Sequence, residues 1–177
     1  MLISKTMTNA INEQIGNEFG ASMQYVAIAS RFDADALSVL ARHFYRQAEE
    51  ERDHAMRFVQ YLVDAGGEVG IPAIPAPNSK FKNVEAAIKL SLDQEMAVTR
   101  QINALVELAI KESDHITRNM LEWFLKEQLE EVSSMDNLLK VVQRAGESNL
   151  IHVEDYLGRR HEKGGLVAVG ARANLPA

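Results

Sequence analysis

In the run from about Leu37 to Ala65 the apolar seam Leu40, Phe44, Phe58 and Tyr61/Leu62 is interrupted, in the same register of threes and fours, by Gln47, Glu51 and His54. Residues so spaced share one helical face, so a carboxylate and an imidazole one turn apart are aimed at whatever the seam packs against. Charge inside an apolar stripe is tolerated only where a partner compensates it, which makes Glu51-x-x-His54 the tightest constraint on how the chain can fold. Alone, an E-x-x-H pair is weak, since a single buried His is more often a hydrogen-bonded core residue than a ligand. Three further runs carry the same kind of interruption.

Ser4 is placed to cap a first helix reaching about Phe32, with the seam Ile11, Ile15, Glu18, Ser22, Tyr25, Ala29. The string Asp33-Ala34-Asp35-Ala36-Leu37-Ser38 supplies turn and capping residues for a short reversal, so the second helix returns antiparallel to the first. Glu18 lies about as far before that turn as Glu51 lies after it, which sets the two at one depth. Gly66-Gly67 ends the second helix, and Glu68 to Asn83, with Pro72, Pro75 and Pro77 and no helical period, reads as an extended connection able to travel the length of a bundle. A third helix from about Val84 to Ser113 has the seam Ile88, Ser91, Glu95, Val98, Ile102, Leu105, Ala109. Asp114 caps a fourth to about Ala145, with Leu121, Phe124, Gln128, Glu131, Met135, Leu138 and Val142 on one face and Gly146 as its stop. Leu150, Val153, Tyr156 and Leu157 predict a short fifth helix from Asn149 to about Arg160, and 161–177, without a period, is expected to be a flexible tail. No convincing internal repeat is evident.

The chain of 177 residues with 46% hydrophobic content suits one domain, here 1–160. Helices of roughly 30 residues, short turns within each pair and one long connection between pairs predict an all-α antiparallel four-helix bundle with a single crossover between helices 2 and 3 and a short C-terminal fifth helix. The absence of Cys excludes thiolate metal sites and thiol catalysis. With no apolar segment of secretory or membrane-spanning length, a cytoplasmic protein is expected. A net charge of −6 without a basic stripe argues against nucleic acid and anionic membrane as partners, and for cations.

Glu18, Glu51, His54, Glu95, Gln128 and Glu131 all fall near mid-helix and are expected to meet in one core layer. Most helical Glu belong on solvated faces, a reading that suits Glu13, Glu85, Glu107 and Glu147. It fails for the four seam carboxylates, because turning any of them outward would also expose the Ile, Phe and Leu beside it. Four ionised carboxylates in one layer are not stable unaided, since each costs several kcal/mol to desolvate and raises the pKa of the others. The seams supply one His and no Lys or Arg, whereas two divalent ions match the four negative charges, so a dinuclear metal site follows. Oxygen-rich ligation with one imidazole suits iron or manganese better than zinc or calcium.

At the level of motifs, Asn12-Glu13-Gln14, Glu18, Tyr25, Glu50-Glu51-x-x-His54, Gln94-Glu95, Trp123 and Glu127-Gln128-x-x-Glu131 resemble the non-haem bacterial ferritins of the ferritin-like di-iron family. The resemblance spans about residues 4–160. It implies that Glu18, Glu51 and His54 hold one iron, that Glu51 bridges to a second held by Glu95 and Glu131 with Gln128 close by, and that Tyr25 stands next to the centre. Glu50, Glu127 and Glu130 match the third, weaker iron position of that family. Departures matter too. A second E-x-x-H on the fourth helix, as in bacterioferritins, is replaced by Gln128-Leu129-Glu130-Glu131, and Arg52 stands where those proteins have a haem-ligating Met, so no haem is expected. The entry-channel acids of animal ferritins are replaced by Thr117, Arg118 and Leu121.

The function so implied is iron storage by a ferroxidase. Fe(II) would be oxidised by O2 or H2O2 at a centre with two irons per subunit, and ferric mineral kept in a hollow homo-oligomeric shell of 24 subunits. Two ions about 3.5–4 Å apart can each give one electron to the oxidant. Carboxylate-only ligation of the second ion should let the product move on. Two alternatives belong to other classes: a rubrerythrin-like di-iron oxidase or peroxidase without storage, against which the missing rubredoxin-type cysteines count, and a non-catalytic bundle scaffold whose polar seam residues set register.

Overall fold

A computed structural model describes residues 2–159. Its four long helices are Lys5–Ala34 (α1), Ser38–Ala65 (α2), Val84–Lys111 (α3) and His115–Ala145 (α4), and a 3₁₀ turn at Glu147–Asn149 leads into helix 150–159 (α5). α1 packs along α2 and α3 along α4, and the two hairpins meet where α1 faces α3 and where α2 faces α4, the latter with Phe58 stacked on Phe124 at 4.0 Å between centroids. The expected four-helix bundle, its crossover between α2 and α3 and its short fifth helix are all present. Arg160 and the expected tail, 161–177, lie outside the described residues. Among the described residues no helix is long and apolar enough to cross a membrane.

Caps fix where the helices begin. The Ser4 hydroxyl accepts from Met7 N–H at 3.0 Å, the Asn83 amide oxygen from Ala86 N–H at 2.9 Å and the Asp114 carboxylate from Thr117 N–H at 2.9 Å, each satisfying an otherwise orphaned first-turn donor. α3 stops short of the expected Ser113 because Ser113 takes a left-handed φ of 57°, and Ala36 does the same in the first reversal with φ 60°. In both turns an N–H reaches back five residues, from Leu37 to the Phe32 carbonyl at 2.9 Å and from Asp114 to the Ala109 carbonyl at 2.8 Å. Leu37 has no side-chain acceptor to cap α2. Glu154 of α5 takes that role from 115 positions away in sequence, accepting Val39 N–H at 3.1 Å and Leu40 N–H at 2.7 Å on a buried carboxylate.

Two apolar clusters fill the bundle. One gathers Tyr25, Phe32, Phe44, Ile88, Met135 and Leu138 with Val153 and Leu157 of α5; the other gathers Met7, Ile11, Phe58, Ile102, Leu121 and Phe124. Each long helix passes from one cluster to the other across its seam interruption, so the polar residues form a layer between two dry ends. The crossover is fixed against α1. Gly16 lies under the Pro72 ring, where a Cβ would come within 2.4 Å of Cγ, so only glycine fits. Asn12 donates to the Glu68 carbonyl and accepts from Gly70 N–H, both at 2.8 Å, and the Gln24 amide grips Asn78 through its main-chain O at 2.7 Å and N–H at 2.8 Å.

Candidate metal centre

The helical period carries the seam residues inward as expected. Relative exposure is 0% for Glu18, 1% for Glu51, 5% for His54, 3% for Glu95 and 4% for Gln128, and the Glu131 side chain is 11% exposed. They form two donor sets. One ligand atom each from Glu18, Glu51 and His54 lie within 4.8 Å of one another, and so do one each from Glu51, Glu95 and Glu131. Donor atoms around a single ion at about 2.1 Å stand up to about 4.2 Å apart, so side-chain adjustment is enough to close each set on a cation. Glu51 belongs to both sets, which is the arrangement of a bridging carboxylate.

The electrostatics call for positive charge. Glu18 Oε2, Glu51 Oε2 and Glu95 Oε2 are buried acceptors that receive no hydrogen bond among the described residues. Burial first, and the facing carboxylates second, raise Glu18 and Glu51 well above the usual carboxylate range. Glu95 is raised by burial against the hydrogen bonds of Tyr25 and Gln128, and Glu131 is pushed up to about 9 by burial, Glu95 and Glu18. Without a cation the layer therefore keeps protons at neutral pH, and a divalent ion would displace them. This donor set, hard oxygens around one imidazole with lone pairs that have no partner, fits iron.

Neighbours set the orientation of the ligands. Gln14 Nε2 donates to Glu18 Oε1 at 2.9 Å from one turn earlier on α1. The His54 ring stands edge-on to Trp123 and Phe124 with centroids at 5.3 and 5.9 Å, and its Nδ1 faces Glu51 Oε2 at 3.5 Å and Glu131 Oε1 at 3.7 Å. The Arg57 guanidinium covers the outer side of Trp123, 3.9 Å from the ring centroid. Tyr25, fully buried and raised well above 10 by burial and then by Glu95, stays neutral and donates its hydroxyl to Glu95 Oε1. Gln128 donates through Nε2 to Glu131 Oε2 and accepts through Oε1 from Thr99 Oγ1.

Of the outer acids, Glu50 and Glu127 act electrostatically on Glu131 of the centre. Glu50 faces solvent, yet partial burial outweighs Arg46 and Gln47 and lifts its carboxyl, with Glu127 adding repulsion, and both acids contribute to the shift of Glu131. Glu130 is exposed on α4. Sequence reasoning named Gln14 only within a motif, without a role, and passed over Thr99. Both sit four residues from a seam carboxylate, a spacing that brings side chains together and could have flagged them.

A Ferritin-like domain is matched over residues 8–145. The chain is 48% identical over 163 residues to the protein named Ferritin BfrB of Mycolicibacterium smegmatis, covering 92% of this chain and 90% of that one. It is 35% identical over 161 residues to the bacterial non-heme ferritin of Staphylococcus aureus, covering 90% and 97%. Among solved structures, an open pore ferritin from Archaeoglobus fulgidus superposes with a TM-score of 0.85 at 32% identity, covering 88% of this chain and 96% of that one. A domain match over most of the length, close relatives covered almost end to end and a shared bundle agree that the chain belongs to the ferritin family, in its non-haem bacterial branch.

Proposed function

We propose that this chain stores iron by oxidising it. Fe(II) is the substrate, taken up two ions at a time between the donor sets that share Glu51. Each ion gives up one electron, so O2 accepts two electrons and two protons to become hydrogen peroxide, or H2O2 accepts two electrons and two protons to become water. Glu18, Glu51, His54, Glu95 and Glu131 bind the ions, and the carboxyls among them release the protons that burial favours when the centre is empty. Tyr25 and Gln128 orient the second set. Ferric product then moves past Glu50, Glu127 and Glu130 into the cavity of a cytoplasmic homo-oligomeric shell of about 24 subunits, the closed assembly of the family. No haem is required, Arg52 standing where a haem-ligating Met would be needed. Neither nucleic acid nor membrane is a partner.

The observation that carries this reading is the pairing of two donor sets through one carboxylate, with three buried carboxylate oxygens that accept no hydrogen bond among the described residues. A scaffold would leave those lone pairs without purpose. Graded addition of Fe(II) with oxygen consumption and sizing chromatography tests it: a ferritin retains iron far beyond its binding stoichiometry, an oxidase stops at two per chain, and a scaffold takes up none. Replacing Glu50, Glu127 and Glu130 together by Gln should leave oxidation of the first two ions nearly normal and reduce iron retained under heavy loading.

A further inference from the structure

Thr99 is partly buried on α3, one turn after Glu95, and its hydroxyl lies 2.8 Å from two acceptors, the Glu95 main-chain oxygen and Gln128 Oε1. It has one proton and can serve one of them at a time. With the proton given to Gln128 Oε1, the amide nitrogen of Gln128 points at the second donor set, where it donates to Glu131 Oε2 and also supports Glu95. That arrangement suits an empty centre, because an N–H donor between two carboxyls relieves their repulsion. It does not suit a filled one, since the same N–H would face a cation while the amide lone pairs face away. Turning the amide by half a rotation exchanges its ends. Oε1 then faces the ion, and Nε2 donates to the Thr99 oxygen, whose proton goes to the Glu95 carbonyl. A hydroxyl satisfies the amide in both orientations, because it donates and accepts; a methyl in its place satisfies neither.

We propose that Thr99 is a positioning residue for the second metal position, letting Gln128 alternate between donor to the empty carboxylates and ligand to the bound ion. This rests on the dinuclear reading of the centre. An i−4 bond from a helical Thr to its own backbone is common, so the claim is specifically that Thr99 acts through Gln128. The test is calorimetric titration of Zn(II), which is not oxidised, into full-length wild type, Thr99→Val, Thr99→Ser, Gln128→Leu and the Thr99→Val/Gln128→Leu double variant. Thr99→Val should leave the first of the two tightest ions within about twofold of wild type and weaken the second by about tenfold or more, the usual cost of losing a group that orients a ligand. Thr99→Ser should restore the second, and the double variant should bind no more weakly than Gln128→Leu alone. An unchanged second ion in Thr99→Val, equal weakening of both ions, failure of Ser to rescue, or additive losses in the double variant would each overturn the proposal. Fewer than two ions in wild type would overturn the dinuclear reading together with it.

Discussion

The two hairpins of the bundle are built on one plan and finished differently. Glu18 precedes the left-handed Ala36 by 18 residues, and Glu95 precedes the left-handed Ser113 by 18. On the return helices Glu51 and Gln128 each follow that residue by 15, His54 and Glu131 each by 18. Ser22 and Thr99 also correspond, each donating its hydroxyl to the facing helix of its own hairpin, to the Ala48 carbonyl at 2.6 Å and to Gln128 at 2.8 Å. The backbone thus repeats while the donors diverge. The α1–α2 hairpin offers two deeply buried carboxylates, Glu18 and Glu51, and an imidazole; the α3–α4 hairpin offers one deeply buried carboxylate, Glu95, an amide, and the Glu131 carboxylate with its side chain 11% exposed. One scaffold therefore carries two unlike donor sets, and side-chain identity makes the difference.

The largest test of this contrast is removal of single ligands. Glu51→Ala, common to both donor sets, should abolish binding of both ions, whereas His54→Ala should weaken chiefly the position on the α1–α2 side and Glu131→Ala chiefly the other. Rapid Fe(II) oxidation, followed by stopped-flow absorbance after two Fe(II) per chain, should fall by about a hundredfold or more in Glu51→Ala and His54→Ala, because both electrons must leave together. An unchanged rate in both would end the assignment.

Proton linkage comes next. Glu131 titrates at about 9 in the fold against an ordinary value of 4.5, and Glu18, Glu51 and Glu95 shift the same way. A folded pKa above the unfolded one means the native state holds the extra proton. The stabilisation is complete below about 4.5 and is lost as pH rises toward about 9. Melting temperatures of the apoprotein should decline across that window, the decline should shrink in Glu131→Gln, and bound metal should suppress it. Identical slopes for apo, loaded and Glu131→Gln protein would contradict the account.

Smaller effects separate the caps and the turns. Asp114→Ala removes a local cap and should cost about 1 kcal/mol, while Glu154→Ala removes a charged acceptor of two N–H groups together with the docking of α5, and should cost about 2 kcal/mol. Denaturant midpoints of the two variants would reverse in order if α5 were dispensable to α2. Smallest of all, Ala36→Gly and Ser113→Gly relieve a side chain held at positive φ and should each stabilise by about 0.5 kcal/mol. Opposite signs in calorimetry would show that the two reversals are not equivalent.

Much of this was readable in the residues because a helix of regular period leaves no freedom in which face a side chain takes. Once Phe44 and Phe58 are inside, Glu51 and His54 must be as well. The centre was legible for the same reason, as four seams each broken at one depth. What escaped reading depended on partners remote in sequence or on side-chain rotation. The α2 cap, expected within Asp33–Ser38, comes from Glu154, and no local pattern could announce it. Gln128 fell where expected in the seam, but its donor role toward Glu131 is set by Thr99 across the α3–α4 pair. The correspondence between hairpins is masked in residue identity on the return helices, where Glu51 pairs with Gln128 and His54 with Glu131, although Glu18 matches Glu95; the matching left-handed residues bring it into register.

The glycine beneath Pro72 bears on where the chain could accept a foreign peptide. A proline-rich connection of this length would ordinarily be the first place to insert one, since loop entropy rises slowly with length. Here the route is nailed down at Gly67, packed 3.1 Å from Leu62 and 3.2 Å from Thr8 by the measure of an added Cβ, again at Glu68 and Gly70 by Asn12, at Pro72 by Gly16, and at Asn78 by Gln24. Those anchors pin the leg over 67–72 and the Asn78 end to α1, with the exposed stretch 73–77 between them. Cargo grafted over 73–77 leaves each anchor in place, whereas the same graft a few residues earlier would lift the strap from Asn12 and Gly16 of α1.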